Sequence, residues 1–359
     1  MTDPRTSLRR ALGAFAAVAA LGLAASPALA ADGPAVTLTE TGSTLAYPLF
    51  TVWASEYQKT HPGVRIVGHA TGSGAGIAQA EAGAVQIGLS DAYMSDAEAR
   101  QHPGILNVAM AISALTVNYN LPGLNASNLK LDGPTLAGIY SGKIRLWDDR
   151  AIAALNPGVR LPHHAIVPIR RADASGDSFV FTQYLTFSTV AWENGVGFGV
   201  SPAWPAVPGV LNAVGNDGVL NATQRTPYSI SYLGVSFHGG VAKANLGTAL
   251  LKSYSGQFLA PNPQTIAAAA AGLGPRTPPD QRLTLVNAPG VNAYPLINYE
   301  YAVVSARQPN AATAVALKRF LQWAAAPDEA NAAYLEDAHF IPLPAHIWVL
   351  THDQIERIH

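Results

Sequence analysis

The amino-acid sequence predicts an α/β fold built on parallel strands, and three stretches carry that expectation. The strand-like VTLTE, Val36 to Glu40, leads through a Gly-Ser-Thr turn into a stretch from Pro48 to Lys59 where Phe50, Trp53 and Tyr57 recur at helical spacing. VRIVG, Val64 to Gly68, runs through TGSGAG into the small-residue helix IAQAEAG, and VQIGLSD, ending at Asp91, follows directly. Strands alternating with helices need crossover connections, which leave neighbouring strands parallel. With 359 residues, 49% of them apolar and only 13% charged, the chain can fill a core in each of two domains.

At the N-terminus, Arg5, Arg9 and Arg10 precede an apolar run from Ala11 to Ala24, and Ala28-Leu29-Ala30 offers a small-x-small cleavage site. This is the pattern of a signal peptide over residues 1–30, cleaved after Ala30. Arg9-Arg10 also fits a twin-arginine signal, whereas general secretion needs only the positive charge. The run is too short for an ordinary membrane span, and no later stretch of about 18 uninterrupted apolar residues appears. The expected mature protein is soluble and exported. Beyond Asp91 the pattern predicts a short helix near Ser95 to Arg100, a helix opening at Asp132-Gly133-Pro134, the strand AIVPI (Ala165 to Ile169) and a helix after Ser175. INYEYAVVSA, Ile297 to Ala306, reads as a strand, and Asn310 to Ala325 as a helix with Leu317, Phe320, Leu321 and Ala324 on one face. Pro- and Gly-rich loops are expected over 195–218 and 259–281.

Charge narrows the function classes. Twenty-two basic and 23 acidic residues give a formal charge of -1, and removal of residues 1–30 leaves 19 and 22. No general field for nucleic acid or an anionic membrane exists, so any anion recognition must come from local geometry. The chain has no cysteine, which excludes disulfides, thiolate metal sites, a cysteine nucleophile and lipid attachment through a cysteine.

Three loops share a composition: Gly42-Ser43-Thr44, Gly72 to Gly76, and Ser175-Gly176-Asp177. Each lies between an expected strand and an expected helix, where free backbone N–H groups and the positive end of the helix dipole favour an anion. Each alone is more often an ordinary helix cap, but three in one chain, with an arginine pair beside the third, point toward a shared anion site. Arg170 and Arg171 lead into the third loop, and strand alternation sends their side chains opposite ways, so one faces a cleft and the other is expected to pair on the surface. Asp91 sits at a strand's carboxyl end, where α/β sheets place ligand groups, or else it caps the helix near Ser95. Gly176-Asp177-Ser178 also matches the core of a GDS-type hydrolase with Ser178 as nucleophile, but the D-x-x-H those enzymes carry occurs nowhere in the chain, nor do G-x-S-x-G and H-E-x-x-H. The ten histidines, including His163-His164, lack metal-ligand spacing.

TGSTLAYPLFTVWASEYQK, TGSGAGIAQ, IGLSDAYMSD, LDGPTLAGIYSGKIRLWDD, VPIRRADASGDSFVFTQYL and GNDG occur in an order that resembles the phosphate-binding proteins of bacterial phosphate import systems (PstS-like) over nearly the whole mature chain. The resemblance implies a two-lobed, type II-like periplasmic binding protein with its ligand cleft between the lobes. It divides the chain into a signal peptide (1–30), lobe one in two parts (31–117 and 294–359) and lobe two (118–293), with crossovers near Val117-Asn118 and Tyr294-Asn298. It implies inorganic phosphate as ligand, an ABC permease and ATPase complex as partner, a monomer in the periplasm, and no cofactor, nucleic acid or catalysis. Carried over by position, the ligand set is Thr44, the backbone of Leu45, Ser73, Asp91, Arg171, Ser175, Gly176 and Asp177, with Asp173 holding Arg171. Asp91 would accept the proton that phosphate carries and sulfate lacks.

Two departures stand out. Leu45-Ala46 replaces the usual Phe-Pro, and Asp177 stands where the family has threonine, an acceptor in place of a donor. Asp177 either caps the following helix or faces the anion. The alternatives to phosphate capture are a binding-protein fold reused for another oxyanion or for a surface or adhesion role, and the hydrolase.

Overall fold

The computed structural model describes residues 36–359; the expected signal peptide and its cleavage site lie outside the described residues. Nine strands form one sheet: β1 (Val36–Gly42), β2 (Val64–Val67), β3 (Ile87–Ser90), β4 (Ile105–Asn120), β5 (Val167–Arg171), β6 (Leu211–Ala213), β7 (Ser229–Gly234), β8 (Gly247–Thr248) and β9 (Ile297–Ser305). Their order is β2-β1-β3-β9-β4-β7-β5-β6, with β8 also on β4.

The parallel expectation holds toward each end, where β1 lies parallel to β2 and β3, and β5 to β6 and β7. The middle is antiparallel, because β9 runs against both β3 and β4, and β4 runs against β7. Strand β4 serves both halves: it pairs with β9 up to Ala114 and with β7 from Leu115 onward. Its 16 residues are nearly all buried, as suits a strand covered on both faces.

Helix α1 (Tyr47–Thr60) buries Phe50, Trp53 and Tyr57. Two of these meet Phe320 of the helix Ala311–Ala325 edge-on, with centroid separations of 5.9 and 5.2 Å. That helix buries the four residues its periodicity marked. Helix α2 (Ser73–Glu81) begins inside the TGSGAG stretch read as a loop. Glycines on the helix and on β3 serve close packing: a Cβ on Gly76 would stand 2.7 Å from the Leu89 carbonyl oxygen, and one on Gly88 of β3 would stand 2.2 Å from that of Gly76.

Two other expectations shift. The strand read as Ala165–Ile169 forms two residues later, because Ala165 bridges Leu146 while Ile169 to Arg171 pair with Leu211 to Ala213. The 259–281 loop contains a helix, Pro263–Leu273, capped by Asn262 with Pro263 in its first turn, a start signal that the alanine run masked.

The glycine packing of α2 against the sheet yields a stability prediction. Gly88→Ala should lower the unfolding free energy by about 1–3 kcal/mol, the cost of overpacking a close contact. Urea unfolding measures it, and an unchanged midpoint would show that the helix can move away freely.

Candidate functional site

The three small-residue loops converge at the carboxyl ends of β1, β3 and β5. Helix α3 (Gly176–Ser188) starts against β3: a Cβ on Gly176 would lie 2.3 Å from Asp91 Oδ2 and 2.5 Å from Ser73 Oγ. Gly74 N donates to the Ala174 carbonyl at 3.0 Å, joining the second and third loops directly. Only a glycine at 176 permits this approach.

Asp91 is buried and accepts from two hydroxyls, Ser43 Oγ on Oδ1 and Ser73 Oγ on Oδ2 at 3.1 Å. Ser43 Oγ itself accepts the amides of Leu45 (3.1 Å) and Ala46 (3.0 Å), which fill its lone pairs and direct its one proton to Asp91. The Leu45 amide, expected to face a ligand, is thus engaged by Ser43.

Arg171 ends β5 with a buried side chain. Its Nε donates to Asp173 Oδ1 at 2.8 Å, Nη2 to Asp173 Oδ2, and Nη1 to Asp177 Oδ2. Asp173 also accepts from Gly215 N at 3.0 Å, at the start of helix α4 (Gly215–Arg225). Asp173 thus accepts two of the Arg171 N–H groups while its Oδ1 also accepts the amide that opens α4.

Asn216 is the residue that sequence reasoning missed. Fully buried, its Nδ2 donates to Thr44 Oγ1 at 2.8 Å and to Asp177 Oδ2 at 2.7 Å, while its Oδ1 accepts Gly234 N at 2.9 Å. Its own amide donates to Thr44 Oγ1 at 3.2 Å. Both acceptor positions of the Thr44 hydroxyl are then filled, leaving its proton as a donor. The signal available was the GNDG segment, whose partners lie far away in sequence.

The alternatives for the two aspartates resolve. Ser95 caps the helix Asp96–Gln101 with a capping box to Glu98, so Asp91 is not its cap. Ser175 caps α3 by accepting Ser178 N at 3.3 Å, so Asp177 is not the cap either. Asp177 lies fully buried in the first turn, with Oδ2 paired and Oδ1 without a hydrogen-bond partner. Burial pushes its pKa up to about 7 against the pull of Arg171, and Asp91 adds to the rise. Arg171 is drawn down by burial, yet Asp177 and Asp173 more than offset this and leave it above its ordinary value.

Arg170 corrects the expectation of a surface pair. It is buried, donating from Nη1 to the Pro205 carbonyl and from Nη2 to that of Tyr140, both at 2.7 Å, with the guanidinium 4.9 Å from the Trp204 ring. The opposite side of the sheet edge is packed protein, not water. Ser178, the hydrolase nucleophile candidate, bonds through Oγ to Tyr232 OH at 2.7 Å rather than to a histidine. Among the described residues no cluster of His, Cys, Asp and Glu is arranged to hold a metal.

Comparison with known proteins gives a consistent set of relatives. A model of the PBP superfamily domain matches residues 28–328. The phosphate-binding protein PstS of Xylella fastidiosa (strain 9a5c) is 30% identical over 326 residues, 91% of this chain and 86% of the relative. That of Pasteurella multocida is 33% identical over 314 residues, 87% and 88% of the two chains. Among solved structures, a high-affinity periplasmic phosphate-binding protein (PfluDING) bound with phosphate superposes with a TM-score of 0.69 at 20% identity, covering 89% of this chain and 93% of that one. A phosphate-binding protein from Stenotrophomonas maltophilia gives 0.69 at 18% identity, covering 89% and 94%. The likeness in fold is to two-lobed binding proteins.

The arginine pair divides into one structural and one site residue, which predicts an asymmetric outcome. Arg170→Ala should strand the buried Tyr140 carbonyl and the partly buried Pro205 carbonyl and lower the unfolding free energy by about 2 kcal/mol, while the Arg171 network stays intact. Thermal and urea unfolding check it; wild-type stability would mean water replaces the guanidinium at no cost.

Proposed function

This chain belongs to the PBP superfamily and, within it, to the family of the PstS phosphate-binding proteins, and from that premise we propose that it captures inorganic phosphate outside the cytoplasmic membrane and delivers it to the permease and ATPase of an ABC importer. The observation that carries the reading is the convergence, around Arg171, of a proton-donating hydroxyl at Thr44, the capped helix start at Ser175-Gly176 and the carboxylate acceptor Asp91. Three of the guanidinium's five N–H groups go to Asp173 and Asp177, which leaves one on each terminal nitrogen for an oxyanion. The proposed ligand set is Thr44, Ser73, Asp91, Arg171, Ser175, Gly176 and Asp177, without the Leu45 amide, which Ser43 engages. The lobes run 31–117 with 294–359, and 118–293; the exchange of partners along β4 supports that division. The N-terminal arginines and apolar run support export, cleavage after Ala30 and a periplasmic location, with the carrier working as a monomer.

Asp177 changes which form of phosphate fits. With Asp91 it makes two acceptors, which singly protonated phosphate cannot satisfy together. Either dihydrogen phosphate binds, or Asp177 holds a proton itself. In both cases the bound state holds more protons than the free state, so affinity rises as pH falls through the Asp177 value of about 7.

Calorimetric titration of the mature protein should show one phosphate bound per chain with sulfate much weaker, and Gly176→Ala should abolish tight binding while leaving the fold intact, because its methyl group enters the Asp91 contact. No phosphate binding, or equal affinity for sulfate, removes the reading. Asp177→Thr should raise phosphate affinity at pH 8 and flatten its rise toward pH 6; parallel pH curves for the two proteins would show that Asp177 does not face the anion.

A further inference from the structure

Behind Asp91 lies a second carboxyl that the ligand set does not use. Glu300, in the middle of β9, is buried, and its neighbour Tyr301 pairs across the strands with Ser90, which immediately precedes Asp91, so the two acids lie side by side. Its Oε1 accepts from Asn298 Nδ2 at 3.0 Å and from Ser113 Oγ, which also approaches Asn298 Oδ1 at 3.0 Å. Its Oε2 is buried and receives no N–H or O–H from the protein. No cation pairs with Glu300 among the described residues. The Asn298 amide also donates to the Asp91 carbonyl at 3.1 Å, tying the two acids into one unit.

Two carboxyls side by side away from water resist being ionised together, so one of them is expected to keep a proton. The donors decide which acid keeps it. Asp91 has a hydroxyl on each oxygen, and the Ser43 proton has no other acceptor to serve, so Asp91 is built as the carboxylate. Glu300 has both of its protein donors on Oε1, so Oε2 is the oxygen left to carry hydrogen. Burial first and Asp91 second push the Glu300 pKa well up, which agrees with that placement.

We propose that Glu300 stays protonated and donates its Oε2 hydrogen to Asp91, acting as a positioning residue that leaves Asp91 with a single acceptor position for a proton on the ligand. A carboxylate offers about four acceptor positions. Ser43, Ser73 and Glu300 take three. A protonated oxyanion fills the fourth, whereas a fully deprotonated one meets an unrelieved negative charge. The assignment rests on the phosphate reading above for its consequence, but not for the proton on Glu300. The titratable groups around Glu300 are Asp91 and its strand neighbour Tyr301, with Asp177 and its partner Arg171 beyond Asp91.

Infrared difference spectroscopy of wild type against Glu300→Gln tests the proton directly. A protonated-carboxyl C=O band present in wild type at pH 8 and missing in the variant is expected; its absence from wild type overturns the assignment whether or not phosphate binds. Phosphate and sulfate titrations of the same proteins test the role. Glu300→Gln keeps a neutral donor in place and should hold both the phosphate-over-sulfate ratio and the pH profile near wild type. Glu300→Leu, checked for folding by circular dichroism, should reduce the ratio tenfold or more, because Asp91 loses the donor that leaves it a single open acceptor position. A large gain in affinity in Glu300→Gln would show that a negative charge had been removed, and an unchanged ratio in Glu300→Leu would show that Glu300 only fills space; either result overturns the proposal. Failure of wild type to bind phosphate would instead refute the phosphate reading.

Discussion

A shortage of positive charge governs the site. Arg171 is the one guanidinium in a buried cluster with four carboxyls, those of Asp91, Asp173, Asp177 and Glu300. Taking several like charges out of water is costly, and attraction to a single cation cannot offset all of them. Protons must make up part of the balance. Asp173 settles as a carboxylate: burial opposes this, but its paired bonds with Arg171 hold its pKa below the ordinary value. Asp177 and Glu300 are pushed the other way.

The neutral polar groups then fix where the remaining hydrogens point. Ser43 and Thr44 have both acceptor positions of their hydroxyls filled by amides, and Asn216 spends its Nδ2 hydrogens on Thr44 and Asp177, so each has only defined directions in which to donate. Such a network is rigid because its members are committed to one another. Glycine supplies the other half of the design. Gly176 brings the start of α3 against Asp91, and Gly74 ties its loop to Ala174, so the acceptor on one side and the arginine on the other meet without side chains between them.

Much of this was legible in the sequence. Small residues at strand-to-helix junctions marked Ser43, Thr44, Ser73, Ser175 and Gly176, since an anion site and a tight backbone approach demand the same composition. Strand alternation separated Arg171 from Arg170, but alternation gives direction and not surroundings, and the far side proved to be filled by Tyr140, Trp204 and Pro205. Asp177 was ambiguous because helix caps and ion pairs favour the same residue; the spacing from Ser175 to Ser178 offered the competing cap. Asn216 and Glu300 act through partners 172 and 187 positions away, which no local pattern reveals. Glu300 did leave a trace, as a lone acid inside the apolar strand INYEYAVVSA.

On the proposed reading, phosphate enters this carboxyl-rich site together with a proton. Titration calorimetry at pH 8 in buffers of different ionisation enthalpy measures the number of protons exchanged per phosphate bound. Net uptake of protons is the predicted result, and it should diminish as the pH is lowered through the Asp177 value of about 7. Binding with no proton uptake at pH 8 would contradict the account, because singly protonated phosphate would then be sharing the site with an ionised Asp177.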